Sequence, residues 1–124
     1  MRRILLGLAM AGLLTGGAAI AQQPPPGKYN WVGYGRGGVD SPNCGTYKMT
    51  ISISVENGRA IGLFQQDGRA QRNFDLPIQA NGIFKGEARL GEGNKISVSG
   101  RISGDSGEIL LDGYCKFGGT LRRT

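Results

Sequence analysis

The chain has 124 residues, 23 of them glycine, two cysteines and no histidine, with 15 Lys and Arg against nine Asp and Glu for a formal net charge of +6. That length holds one small domain. The lack of histidine excludes a Ser-His-Asp triad, a Cys-His pair and a His-ligated zinc site.

Met1-Arg2-Arg3 is a short positive segment, Ile4 to Leu14 is an apolar run, and Ala19-Ile20-Ala21 is a small-x-small cleavage site. This three-part order predicts a secretory signal peptide over residues 1–21, cut before Gln22. Thr15, Gly16 and Gly17 interrupt the apolar run, which falls short of the roughly 20 residues a membrane-spanning helix needs. Both Sec and twin-arginine export are compatible with Arg2-Arg3. Residues 22–27 (QQPPPG) read as a Pro-rich linker, because consecutive prolines favour an extended chain and cannot sit inside a helix. Residues 28–124 are then a single β domain, periplasmic or secreted.

Beyond the linker the governing period is two. Tyr47, Met49, Ile51, Ile53 and Val55 alternate with Lys48, Thr50, Ser52, Ser54 and Glu56, and Ile96, Val98 and Ile102 alternate with Lys95, Ser97, Ser99 and Arg101. Such alternation marks antiparallel strands with one buried and one wet face. Asn57-Gly58, Asp67-Gly68 and Asn81-Gly82 supply two-residue hairpin dipeptides, the two Asn-Gly pairs favouring type I′ turns. Gly91-Glu92-Gly93-Asn94 and Gly104-Asp105-Ser106-Gly107 supply four-residue turns. Strands are predicted near 28–36, 46–56, 59–66, 69–79, 82–90, 95–103 and 107–117, with a short last one over 119–123.

The expected fold is all-β: an antiparallel meander of seven or eight short strands forming a small closed or nearly closed barrel, with a two-layer sandwich as the alternative. Glycines inside strands, such as Gly33, Gly35, Gly62, Gly86, Gly100 and Gly113, permit the bends and close packing that a coiled sheet needs. Closure also hides the sheet edges. In an oxidising compartment the two cysteines, Cys44 and Cys115, are expected to form a disulfide. In the chain-entropy model a loop of about 70 residues closed this way contributes on the order of 4 kcal/mol.

Few residues invite a chemical reading. Gly104-Asp105-Ser106-Gly107 copies the surroundings of a trypsin-like serine, but with no base available it reads as a turn. The acids fall in turns or on polar strand faces beside Lys or Arg; Asp112, next to Ile109-Leu110-Leu111, is the exception and is a candidate for a barrel mouth. No Asp-x-Asp calcium loop occurs. No catalytic residue, metal or cofactor is therefore assigned, and the protein is not expected to be an enzyme. Among the aromatics, Trp31 and Tyr34, on opposite faces of the glycine-rich first strand, are the ligand-contact candidates. Arg59, Arg69 and Arg72 around Asp67-Gly68, with Arg122-Arg123 at the end, are the candidates for contact with an anionic envelope surface. The basic residues lack interleaved stacking aromatics, so nucleic acid is not expected as a partner. The polar outer parity also argues against an outer-membrane barrel.

Tyr29-x-x-x-Gly33-x-Gly35, Cys44-Gly45-x-Tyr47, Asn57-Gly58, Cys115 and Leu121-Arg122-Arg123 together resemble small exported bacterial proteins built as glycine-rich antiparallel meanders. The resemblance implies an exported β domain and transfers no activity. Avidin-like barrels also open with a Trp on a glycine-rich strand but line their pocket with several tryptophans, whereas Trp31 is the only one here. Periplasmic lysozyme inhibitors are similar in size, disulfide and barrel form, but a net positive chain is a poor electrostatic match for a cationic enzyme. The expected function is a non-catalytic exported binding or envelope-accessory protein. The alternatives are a periplasmic enzyme inhibitor, presenting loops such as Arg36 to Asn43, and a carrier of a small apolar ligand.

Overall fold

The structure, a computed structural model, describes residues 24–91 and 93–124. The expected signal segment 1–21 lies outside them. Eight strands follow one another as an antiparallel meander: β1 (Gly27–Tyr34), β2 (Lys48–Glu56), β3 (Arg59–Gln66), β4 (Arg72–Pro77), β5 (Ile83–Gly91), β6 (Asn94–Ser103), β7 (Ser106–Asp112) and β8 (Lys116–Arg123). They form one sheet in the order β4-β3-β2-β1-β8-β7-β6-β5. The first and last strands therefore pair in its middle, and the sheet curls until β4 and β5 face each other across a seam. The result is a nearly closed barrel, not a two-layer sandwich.

The period-two pattern sets what lies inside. Met49, Ile51, Ile53 and Val55 of β2 are buried, as are Ile96, Val98 and Ile102 of β6, while Thr50, Ser52, Ser97 and Arg101 are exposed. A slip of one residue would reverse both faces, so burial of this parity specifies the register. Each fully buried Ile, Leu or Phe contributes about 1.5–3 kcal/mol of transfer free energy.

The seam carries no strand ladder between β4 and β5 among the described residues; side chains fill it. Leu76 of β4 packs where a Cβ on Gly86 of β5 would stand. Phe74 and Phe84 stack across the gap with ring centroids 6.2 Å apart, and Phe64 extends the row at 6.3 Å from Phe74. The same two rings occupy the space over glycines opposite them in the ladder, Phe74 over its partner Gly62 and Phe84 over its partner Gly100. Strand-interior glycines thus leave room for rings as well as for curvature.

The β1–β8 ladder is also interrupted. Pairing holds at Tyr29↔Arg123 and Asn30↔Arg122, then resumes at the isolated bridge Arg36↔Lys116. Between them Gly118 adopts φ 133°. The Trp31 ring lies over Gly33, and its Nε1 is 3.1 Å from where a Cβ on Gly119 would be. The Arg36 Nη1 donates a hydrogen bond to the Gly118 carbonyl at 3.1 Å, replacing a partner that the ladder would have supplied.

Several sequence expectations are corrected. The predicted strand 107–117 ends at Asp112, and Gly113 to Cys115 form a turn in which the Gly113 N–H donates to the Cys115 carbonyl at 3.1 Å. The disulfide pins that turn, and the expected short last strand consequently begins at Lys116 and runs eight residues through Gly118-Gly119. Of the three hairpin dipeptides only Asn57-Gly58, with φ 52° and 74°, has the two positive φ angles of a type I′ turn. At Asn81-Gly82 only Gly82 is positive. Pro77 closes β4 early, and a longer connection is held by the Gly82 N–H to the Gln79 carbonyl and the Ile83 N–H to Asn81 Oδ1. Asp67-Gly68 likewise has a positive φ only at its glycine, within a turn closed by the Arg69 N–H to the Gln66 carbonyl. β1 begins at Gly27, the last residue of the expected linker.

Candidate functional site

The two ends of the barrel differ. At the end bearing the β2–β3, β4–β5 and β6–β7 turns, Tyr29 is fully buried and its hydroxyl donates to the Gly104 carbonyl at 2.7 Å. Arg123 lies over the Tyr29 ring at 5.7 Å from its centroid, in cation–π range, and donates from Nη2 to the Pro26 carbonyl. Gly104-Asp105 form the β6–β7 turn here, a two-residue turn and not the expected four, since Ser106 and Gly107 already belong to β7 and pair with Ser103 and Ile102. This end is closed by packed side chains.

The opposite end is open. A cleft of about 390 Å³ enters the barrel mouth there, at the lower end of the roughly 300–1,000 Å³ typical of small-molecule sites. Its wall combines Met49, Phe64, Leu90, Ile96 and Phe117 from five strands with Tyr47, Ala70, Gly113, Tyr114 and Cys115 from connections. Three cations reach it: Arg69 and Arg72 beside the β3–β4 turn and Lys95 near the start of β6. Among the described residues no carboxylate lines it. The Lys95 ammonium lies 3.4 Å from Glu87. Neither Arg69 nor Arg72 has an acidic partner among the described residues.

Local chemistry holds these groups in place. The β3–β4 turn is fastened by the Asp67 N–H to the Lys48 carbonyl at 3.0 Å and by Gln65 Nε2 to the Arg69 carbonyl at 2.8 Å. The Arg72 guanidinium lies against Gly91 across the seam. On the far rim, the connection between β1 and β2 folds through a 3-10 turn over Pro42–Thr46. The Cys44–Cys115 disulfide, with Cα atoms 5.5 Å apart, ties that connection to the β7–β8 turn. Gly38 N–H to Ser41 Oγ and the Tyr114 hydroxyl to the Asp40 carbonyl, each at 3.1 Å, complete the brace. Val39 at the tip of this connection is 95% exposed.

The residues singled out from sequence are distributed unevenly around this cleft. Trp31 is half-buried, packed against the core beside Gly33 and Gly119, and Tyr34 is 57% exposed on the outer face. Neither is among the residues lining the cleft. Arg69 and Arg72 do line it, whereas Arg59 is at the other end of β3, with its Nε 2.6 Å from Asp75 Oδ1. Asp112 ends β7 at the mouth, 3.6 Å from Lys116. Sequence reading missed Leu90, Ile96 and Lys95 as neighbours of Arg69 and Arg72, because they meet only when β5 and β6 close against β4.

No group of three or more Cys, Asp or Glu with metal-ligand geometry occurs among the described residues. Nor is any described helix long and apolar enough to cross a membrane. No family model matches the chain, and no curated protein or solved structure was found to be similar to it.

Proposed function

We propose that this protein is a non-catalytic, exported binding domain, periplasmic or secreted, whose ligand site is the open mouth of the barrel. One observation carries the reading. A barrel otherwise filled and closed at its Tyr29 end keeps an apolar, side-chain-lined cleft at the other. A cleft of that size takes a small ligand, and rigid walls braced by a disulfide lower the ordering cost of binding it. The disulfide is compatible with an oxidising compartment.

The test is titration with a neutral apolar probe, decanol below its solubility limit, followed by calorimetry or thermal shift. Decanol should bind the native protein and not Ala70→Trp, because Ala70 is exposed on the rim and a Trp there fills the mouth without entering the core. Leu63→Ser, on the outer face away from the cleft, should bind normally. Mass spectrometry of small molecules extracted from the protein purified from periplasm identifies the natural occupant. Decanol binding that survives unchanged in Ala70→Trp, or no binding of decanol or any other single-chain amphiphile by the native protein, would sink the proposal.

A second reading, inhibition of an enzyme through the loop Arg36 to Asn43, is favoured by the exposed Val39 on a connection braced by the disulfide, Ser41 and Tyr114. It requires a protein partner that co-purifies from periplasm and is lost on Val39→Asp.

A further inference from the structure

We infer that the mouth selects single-chain amphiphiles with an anionic head, carboxylate or phosphate, over neutral and cationic ones. This inference rests on the reading of the mouth as the ligand site and adds the chemistry of what it takes. The cleft is amphipathic in a directional way. Its floor is the buried pair Phe64 and Ile96; Leu90 and Arg72 are half-buried in the wall, and Arg69 is exposed at the rim. An apolar tail replaces water along the floor, and an anionic head placed at the rim meets two guanidiniums that have no carboxylate partner among the described residues. Guanidinium suits this role because its planar fork of donors matches the two oxygens of a carboxylate or phosphate. A cationic head would be repelled by Arg69, Arg72 and Lys95 together.

Other features carry less. The hollow beside Arg36, Ser41 and Lys116 presents cations already committed, Arg36 to the Gly118 carbonyl and Lys116 to Asp112. The outward Val32 and Tyr34 are exposed, and nothing in the structure says what would cover them.

The experiment is isothermal titration of the full mature chain at low ionic strength with octanoate, decanoate, decyl phosphate, decanol and decyltrimethylammonium, each below its micellar concentration. Decanoate and decyl phosphate should bind at least tenfold more tightly than decanol, and decyltrimethylammonium should not bind. Octanoate should bind about tenfold less tightly than decanoate, the effect of two methylenes lost from an apolar wall. Arg69→Gln plus Arg72→Gln should weaken decanoate about tenfold, a charge-assisted contact discounted for solvent exposure, and leave decanol unchanged. Arg59→Gln, at the far end, should change neither.

The outcomes separate the two layers. Equal binding of decanoate and decanol, unaltered by the double Arg variant, overturns the anion preference and leaves the mouth as the site. No binding by any probe overturns both. Sedimentation with phosphatidylglycerol vesicles that persists in Ala70→Trp places the anionic contact on a membrane surface and overturns the single-chain reading.

Discussion

Gly118 offers the sharpest test of how this barrel closes. Its φ of 133° is one that L side chains rarely adopt. A Cβ there would overlap the Ile109 carbonyl oxygen, 2.8 Å from its carbon, and would stand 3.0 Å from the Leu110 Cα. All three neighbours are backbone atoms, so no side chain can swing aside. In Gly118→Ala the backbone conformation alone costs about 1–3 kcal/mol, and displacing β7 from β8 at the Leu110↔Gly118 pair adds about 1–3 kcal/mol of overpacking. Reduced freedom of the unfolded chain returns about 0.4–1 kcal/mol. The net loss is about 3 kcal/mol, which for a domain of this size lowers Tm by about 12–24 °C. Gly104→Ala is the matched control: its φ is also positive, at 64°, but no atom lies within 4 Å of the new Cβ, so the loss should stay near 1 kcal/mol. Thermal unfolding followed by near-UV circular dichroism measures both. If Gly118→Ala melts no lower than Gly104→Ala, the close approach of β7 to β8 is not what holds this part of the barrel.

Replacing both Cys44 and Cys115 by Ser should cost about 4 kcal/mol by release of a loop spanning 71 residues; a Tm within a few degrees of the native protein in non-reducing buffer would contradict this. Tyr29→Phe removes the bond to the Gly104 carbonyl and should lower the urea-derived stability by about 0.5–1.5 kcal/mol, with no change in decanol binding at the opposite end. Because Thr50, Ser52, Ser97 and Arg101 face outward and are exposed, the protein should be recovered without detergent. Recovery only in detergent would contradict that reading of its outer face. Binding to anionic vesicles at low salt, where it occurs, should fall more with Arg69→Glu plus Arg72→Glu than with Arg59→Glu, whose native guanidinium is engaged by Asp75; equal effects would show that the cations act without regard to place.

Much of the barrel was readable before folding because strand side chains alternate by covalent geometry alone. The inward sets Met49-Ile51-Ile53-Val55 and Ile96-Val98-Ile102 follow from hydrophobicity and parity. So does the Asn57-Gly58 turn, where both residues take positive φ, and the pairing of the two cysteines follows from their number. Sequence could not locate the break at Gly113 to Cys115, since the alternation Ile109, Leu111, Gly113, Cys115 and Phe117 runs through it without a polar interruption. It could not tell that Lys116 to Gly118 already belong to the last strand, because glycine is compatible with either a turn or a distorted ladder. Most of all, it could not place Arg69 and Arg72 beside Leu90 and Lys95. That meeting depends on β1 pairing with β8 from the far end of the chain and on β4 then reaching β5. Local dihedral preference and side-chain parity are properties of neighbours in the chain, whereas the mouth is a property of which distant edges meet, and only burial of the whole inner face decides that.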